Sequence, residues 1–215
     1  MQLTHLGHAC FIVDTGAARL LFDPGCYSDV EGVTGLDAVL ITHQHEDHVD
    51  TSRLAGLLAS NPQARLVVDP DTASSVEGLP PGVDVARPGD VLRFGDENGH
   101  GGTRVDVLGG IHAAVYREVP GCTNNAYLVD GGALLHPGDS FTVPEAPVDV
   151  LLVAIDSPWL KLAEAVDYVR AVGPRVAVPM HESGASNPAK YAGMLAGFCP
   201  EAEVRRLAVG EPAEV

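Results

Sequence analysis

The sequence predicts an α+β fold in which two β-sheets pack together and helices cover the outside. Short apolar runs typical of strands dominate the first half, and segments with helical spacing occur at intervals in both halves. The 215 residues, 46% hydrophobic and 20% charged, are enough for one globular unit with a sizeable core. We therefore expect residues 1–215 to form a single domain.

Strands in the first half are expected where short apolar or β-branched runs end at turn residues. These runs are Gln2–Leu6, Cys10–Asp14, Arg19–Asp23, Ala38–Thr42, Arg65–Val68, Val83–Ala86 and Val91–Phe94. The turn Asp14–Ala17 predicts a hairpin between the second and third runs. A helix is expected after Asp50, whose side chain can cap it, and Asn61-Pro62 ends it. A shorter helix is expected near Asp71–Val76.

The second half predicts further strands and two more helices. The strand runs are Arg104–Leu108, Asn125–Asp130, Ala133–His136, Val148–Ile155, Arg175–Val178 and Glu203–Leu207. Gly131-Gly132 predicts a second hairpin, and the strongly apolar run that starts at Val148 fits the middle of a sheet. Helices are expected over Lys161–Val172, which Gly173-Pro174 stops, and over Pro188–Phe198.

Charge and cysteine usage argue against several classes of function. The net charge of −16 and the lack of a Lys/Arg-rich run disfavour nucleic acid and anionic membranes as partners. The four cysteines form no Cys-x-x-Cys pair, so a thiolate zinc site is not expected. The N-terminal residues lack a signal-peptide pattern, and no apolar run has the length of a membrane span. We therefore expect a cytoplasmic protein.

Residues 43–48 read His-Gln-His-Glu-Asp-His and are the strongest functional signal in the chain. Imidazole nitrogens and carboxylate oxygens are ligands of zinc and similar ions. Alternate residues of an extended segment point the same way, so His43 and His45 can bind one ion. Asp47 and His48 follow where the chain bends toward a helix, so they can face a second ion. Because the segment follows an apolar strand, it predicts a metal-binding turn rather than a surface histidine cluster.

Three later residues occupy equivalent positions just past the ends of predicted strands. His112 follows the strand that ends at Leu108, Asp139 follows the one that ends at His136, and His181 follows Arg175–Val178. A lone histidine or aspartate in a loop is usually a turn or surface residue. Three of them behind such a motif predict a larger metal site.

With these residues the chain resembles the metallo-β-lactamase-fold hydrolases, whose His-x-His-x-Asp-His signature matches residues 43–48. The segments Leu6–Phe11, Leu21–Gly25 and Gly138–Ser140 are similar to the branch that includes ascorbate-6-phosphate lactonase-like proteins. The resemblance covers nearly the whole chain. It implies a four-layer αββα sandwich of two mixed sheets with outer helices and a site at one edge of both sheets.

The resemblance also implies how two divalent ions would be held. The first ion would take His43, His45 and His112, the second Asp47, His48 and His181, and Asp139 would bridge them. Zinc suits an imidazole-rich site with carboxylates, and manganese, iron and nickel are the alternatives. Asp23 and His8 are candidates for residues around these ligands: Asp23 would orient an imidazole from behind, and His8 would line the pocket. Their plain alternatives are a turn-forming Asp-Pro and a hairpin residue.

Such a site implies hydrolysis of a small-molecule lactone, ester, amide or phosphoester by a hydroxide shared between the ions. Asp47 is expected to be catalytic as well as a ligand, because it can orient the hydroxide or move a proton to the leaving group. The alternatives are a ribonuclease Z-type nuclease, which the net charge disfavours, and a non-catalytic metal sensor, which the complete ligand set disfavours. A secreted β-lactamase and a glyoxalase II fit less well, and no oligomeric state is indicated.

Other polar and aromatic residues near these positions are given ordinary structural roles. Ser140, Trp159 and Glu182 could face the substrate, but they are interpreted as a capping serine, a packing aromatic and a loop acid. Loops 24–36, 113–124 and 183–190 are expected to determine substrate specificity.

Overall fold

The computed structural model describes residues 1–76, 78, 82–95 and 101–215. In this part of the chain, strands and helices alternate much as the sequence predicts. The strands are β1 Gln2–Gly7, β2 Cys10–Asp14, β3 Arg19–Phe22, β4 Ala38–Leu40, β5 Arg65–Val68, β6 Val83–Val85, β7 Val91–Phe94, β8 Thr103–Gly109, β9 Asn125–Val129, β10 Leu134–His136, β11 Val150–Ala154, β12 Val176–Met180, β13 Glu203–Val204 and β14 Pro212–Glu214. The helices are α1 Thr51–Ser60, α2 Leu162–Val172 and α3 Pro188–Phe198.

The strands form two mixed sheets. The first sheet has the order β14-β1-β2-β3-β4-β5-β6, and the second has the order β13-β12-β11-β10-β9-β8-β7. In each sheet, antiparallel hairpins on one side give way to parallel strands on the other, from β3 to β6 and from β10 to β13. Parallel strands end on the same side, so residues that follow them are brought together.

Three apolar clusters separate four layers. Side chains of both sheets meet in the central cluster, to which β2 contributes Phe11 and β11 contributes Leu152. The opposite face of β2 contributes Ile12 to a cluster with α1, while the opposite face of β11 contributes Leu151 to a cluster with α2 and α3. Because both faces of the inner strands are buried, these strands read as nearly continuous apolar runs. The predicted αββα sandwich is confirmed.

The helices begin and end where the sequence indicates. The side chain of Asp50 accepts a hydrogen bond from Ser52 N at the start of α1. Gly173 ends α2 in a left-handed conformation with φ of 63°, and the Asn187 side chain caps α3. No helix in the described ranges combines the length and the apolar character needed to cross a membrane.

The structure departs from the predicted elements mainly near the C-terminus. The strand expected over Glu203–Leu207 is limited to β13, and the sequence analysis missed β14, which pairs antiparallel with β1. With Pro212 and Glu214 in a segment of three residues, β14 has no local strand signal. Its pairing with β1 comes from the tertiary fold.

The loop after β3 supports the 43–48 segment through a close backbone approach. Cys26 N donates a hydrogen bond to Glu46 O at 2.8 Å. Beside it, a Cβ atom on Gly25 would lie 1.9 Å from Asp47 O and 2.5 Å from His48 N. Both neighbours are backbone atoms, so they cannot move aside as a flexible side chain could.

We predict that Gly25→Ala destabilises the protein, because the added methyl group must displace the backbone of the 43–48 segment. Overpacking of this kind costs about 1–3 kcal/mol. This corresponds to a fall in Tm of roughly 2–12 °C for a chain of this size. Thermal unfolding followed by circular dichroism measures it.

Gly56→Ala is the matched control. Gly56 lies within α1, and a Cβ atom there would meet no other described residue within 4 Å apart from its own helix. Alanine is the better helix former, so this variant is expected to keep or raise the Tm. Equal melting temperatures for Gly25→Ala and the unmodified protein would contradict the argument.

Candidate metal centre

The histidines and aspartates predicted to bind metal come together at one end of both sheets. The 43–48 segment follows β4 in the first sheet. From the second sheet, His112 follows β8, Asp139 follows β10 and His181 follows β12 directly. The strand ends thus position side chains that are far apart in the sequence.

Their candidate ligand atoms form three overlapping groups, each with all members within 4.8 Å of one another. The groups are His43 with His45 and His112, His43 with His48 and Asp139, and His8 with Asp47, His48 and His181. The first group is the set inferred for one ion. The last contains the set inferred for the other ion, with His8 added.

The outer nitrogen of three of these imidazoles is held by an oxygen acceptor. His48 Nδ1 lies 2.6 Å from Asp23 Oδ2, His112 Nδ1 lies 2.6 Å from Ala113 O, and His181 Nδ1 lies 2.7 Å from Asp156 O. An oxygen acceptor at Nδ1 places a proton there, which directs the Nε2 lone pair inward.

The inward-facing atoms lack hydrogen-bond partners, although they are buried. Within the described residues this holds for the Nε2 atoms of His48, His112 and His181 and for Asp139 Oδ1. The three Nε2 atoms lie 3.2–3.4 Å from oxygens of the Asp139 carboxylate. Buried polar atoms are normally paired, and unpaired ones need an explanation. Nitrogen and carboxylate donors that converge in this way fit a divalent cation.

Burial and charge act in opposite directions on the pKa values of these groups. Burial lowers the pKa of His43 well below its ordinary value. Burial also opposes charge on His181, but Asp139 and Asp47 outweigh it and raise its pKa to about 9. The same balance with Asp139 and Asp23 holds the pKa of His48 well above its ordinary value. A bound cation would take the place of these protons.

The two carboxylates are held in the charged form. Burial alone would raise the pKa of each, but neighbouring imidazoles outweigh that effect. Hydrogen bonds from His181 and His8 lower the pKa of Asp47, and His48 lowers that of Asp139 well below its usual range. Both side chains are therefore anionic at neutral pH.

Left-handed backbone conformations occur at three positions of the site. Among described residues other than glycine, positive φ angles are found at His8 (55°), Asp23 (45°) and His181 (61°), and at Asp130 outside the site. Such conformations cost of order 1–3 kcal/mol and often accompany functional sites. They aim the side chains inward from the turns that follow β1, β3 and β12.

Asp23 and His8, the two further site residues suggested by the sequence, occupy different places. Asp23 is fully buried behind His48 and also accepts hydrogen bonds from Thr42 N at 2.8 Å and Thr42 Oγ1 at 2.7 Å. His8 instead joins the inner face of the cluster, where its Nε2 lies 3.1 Å from Asp47 Oδ2.

Sequence reasoning missed two residues that hold Asp139. Asn124 Oδ1 accepts a hydrogen bond from Asp139 N at 2.9 Å, and Trp159 Nε1 donates one to Asp139 Oδ2 at 2.8 Å. Trp159 is thus more than the packing aromatic that we expected. Neither residue belongs to a local motif, and the only available signal was their position in segments beside strand ends.

Comparison with known proteins identifies the family. Residues 2–181 match the family described as the beta-lactamase superfamily domain. Protein Rv0786c of Mycobacterium tuberculosis is 46% identical over 188 residues, which cover 85% of this chain and 84% of that protein. A UPF0173 metal-dependent hydrolase of Opitutus terrae is 30% identical over 211 residues, covering 87% of this chain and 86% of the relative.

The fold has counterparts among solved structures. The metallo hydrolase Igni18 of the archaeon Ignicoccus hospitalis superposes with a TM-score of 0.76 at 20% identity, covering 99% of this chain and 97% of that one. This likeness supports the sandwich fold, and the sequence relatives support the activity class. The chain belongs to the beta-lactamase superfamily, has the metallo-β-lactamase fold, and is a metal-dependent hydrolase of the UPF0173 family.

Proposed function

We propose that residues 1–215 form one catalytic domain that holds two divalent ions, preferably zinc, and hydrolyses a small-molecule lactone or ester. The observation that carries the proposal is the set of buried Nε2 atoms of His48, His112 and His181 around Asp139, which have no hydrogen-bond partner in the described part of the chain. The first ion would be held by His43, His45 and His112. The second would be held by Asp47, His48 and His181, with Asp139 between them.

Ions bound in this way supply Lewis-acid chemistry, since they lower the pKa of water toward neutrality and polarise a carbonyl oxygen. The residues of the chain supply geometry. His48, His112 and His181 are each fixed from behind by an oxygen acceptor, so their Nε2 atoms hold their places without reorganisation.

Asp47 is suited to orient the attacking group. Its side chain is 23% exposed, whereas that of Asp139 is 3% exposed, so Asp47 is the carboxylate that reaches the solvent side. The lowered pKa of Asp47 keeps it anionic. It is therefore suited to accept a hydrogen bond that aligns the nucleophile.

Exposed apolar side chains beside the cluster favour a substrate with an apolar part. Tyr27 packs its ring against His8, with centroids 5.3 Å apart, and Phe141 packs against Trp159 at 5.5 Å. The loop that carries His112 adds further exposed apolar residues, Ile111, Val115, Tyr116 and Val119. The similarity of the opening segments to ascorbate-6-phosphate lactonase-like proteins supports a lactone as one form of this substrate.

Metal content tests the two-ion arrangement. We expect about two ions per chain in the unmodified protein, as in two-metal hydrolases. His112→Ala and His181→Ala should each lose about one ion, because they remove a ligand from different sets. Elemental analysis after dialysis measures this, with the exposed Glu201→Gln as control. Loss of all metal in one variant and none in the other would count against two separate sets.

Turnover tests the roles of the carboxylates. We predict that Asp47→Ala and Asp139→Asn lower kcat by about 10²–10³-fold, the loss typical of a removed preorganised group. Hydrolysis of γ-lactones, p-nitrophenyl esters, bis-p-nitrophenyl phosphate and a structured RNA would be compared, with circular dichroism as a check of folding. Wild-type turnover in either variant at unchanged metal content would refute the assignment. Turnover of RNA alone would favour a nuclease, and two bound ions without any turnover would favour a sensor.

Acyl-chain length tests the apolar part of the substrate. Each additional buried CH₂ contributes about 0.8 kcal/mol, so kcat/KM should rise roughly tenfold from an acetate to a butyrate ester. Ile111→Thr should reduce this preference, because Ile111 is 74% exposed next to His112. Phe198→Thr, which removes an exposed apolar side chain at the end of α3, should leave it unchanged. Equal kcat/KM for both esters would contradict the proposed contact.

A further inference from the structure

Trp159 lies between β11 and α2 and contacts the candidate metal centre from the second sheet. It is the one tryptophan of the chain, and it is 8% exposed. Its indole Nε1 donates a buried hydrogen bond to Asp139 Oδ2 at 2.8 Å. The ring edges meet His112 and His181 at centroid distances of 5.8 and 6.2 Å, with interplanar angles of 77° and 75°.

The hydrogen bond from Trp159 determines how the Asp139 carboxylate can face its neighbours. Asn124 fixes the backbone of Asp139 by accepting a hydrogen bond from its N–H. The imidazole Nε2 atoms around this carboxylate lie 3.2–3.4 Å from its oxygens, whereas Trp159 makes the shorter contact with hydrogen-bond geometry and so restricts the rotation of the carboxylate. One lone pair of Oδ2 is thereby occupied, and Oδ1 is left free to face His48.

We infer that Trp159 is a positioning residue for metal binding: its indole N–H holds the Asp139 carboxylate in the orientation that receives the cations. The inference rests on the proposed role of Asp139 as a shared ligand. If Trp159 only packed against its neighbours, its aromatic ring would be sufficient. The positioning role requires the indole N–H. The two roles are separable, because phenylalanine keeps an aromatic ring and removes the donor.

A metal titration compares Trp159→Phe with a matched packing variant. Phe141→Leu is the control, since Phe141 packs edge-on against Trp159 and does not contact the carboxylate through a polar atom. We expect Trp159→Phe to weaken Co²⁺ binding by about 10–100-fold, the usual effect of losing a partner behind a ligand, and to shift the Co²⁺ absorption bands. Phe141→Leu should retain the affinity and the bands of the unmodified protein. Wild-type affinity and bands in Trp159→Phe would overturn the inference.

A measurement on the unmodified protein keeps the test independent of the stability of that variant. Because Trp159 is the single tryptophan, a ¹H–¹⁵N correlation spectrum contains one indole N–H signal. That signal should move when Zn²⁺ is added. It should also move in metal-free Asp139→Asn, which weakens the acceptor. An indole signal unchanged by Zn²⁺ at confirmed metal loading would overturn the inference.

The two experiments distinguish this inference from the proposed function. If the unmodified protein bound fewer than two ions, the two-ion proposal would fail. The response of the indole signal to Asp139→Asn in metal-free protein would still report the hydrogen bond. If two ions bind and Trp159→Phe binds them as tightly, only the role of Trp159 is refuted.

Discussion

The buried carboxylate of Asp23 is the constraint on which the rest of the site depends. A charge without exposure to water is costly unless hydrogen bonds satisfy it. Here Thr42 N and Thr42 Oγ1 donate to Asp23, and His48 Nδ1 approaches it at 2.6 Å. These contacts fix the chain where β4 ends. They also set the direction of the His48 side chain through protein contacts alone. The 43–48 segment therefore has a defined shape, because the Asp23 carboxylate behind it contacts both Thr42 and His48.

From Asp23, a line of polar contacts crosses from one sheet to the other. His48 lies between Asp23 and Asp139, with its two ring nitrogens 2.6 and 3.2 Å from their carboxylate oxygens. Asp139 in turn accepts the indole N–H of Trp159. The sheets are also tied nearby by Tyr127, whose hydroxyl donates to Ile41 O at 2.8 Å. The relative position of the two sheets is thus coupled to the geometry of the candidate ligands. A shift in the packing of the sheets would therefore move His48 relative to Asp139.

The part of this site that the sequence predicts is the part encoded locally. The 43–48 segment and the strand ends before His112 and His181 have motifs, apolar runs and turn residues that can be read without the fold. Trp159 could not be assigned in this way, since its contact with Asp139 spans twenty positions and depends on how β10 and β11 align. The same reason explains why β14 was missed, because only its pairing with β1 makes it a strand.

The orientation of the histidines implies that cation binding and folding are thermodynamically linked. A buried polar atom without a hydrogen-bond partner costs about 1–3 kcal/mol, and among the described residues Nε2 of His48, His112 and His181 and Oδ1 of Asp139 have only imidazole–carboxylate contacts of 3.2–3.4 Å. Left-handed backbone at His181 adds strain to the same site. The folded chain therefore bears the cost of arranging these atoms before a cation arrives. A cation that satisfied them would return that free energy as affinity, so the arrangement of these atoms by the fold would favour binding.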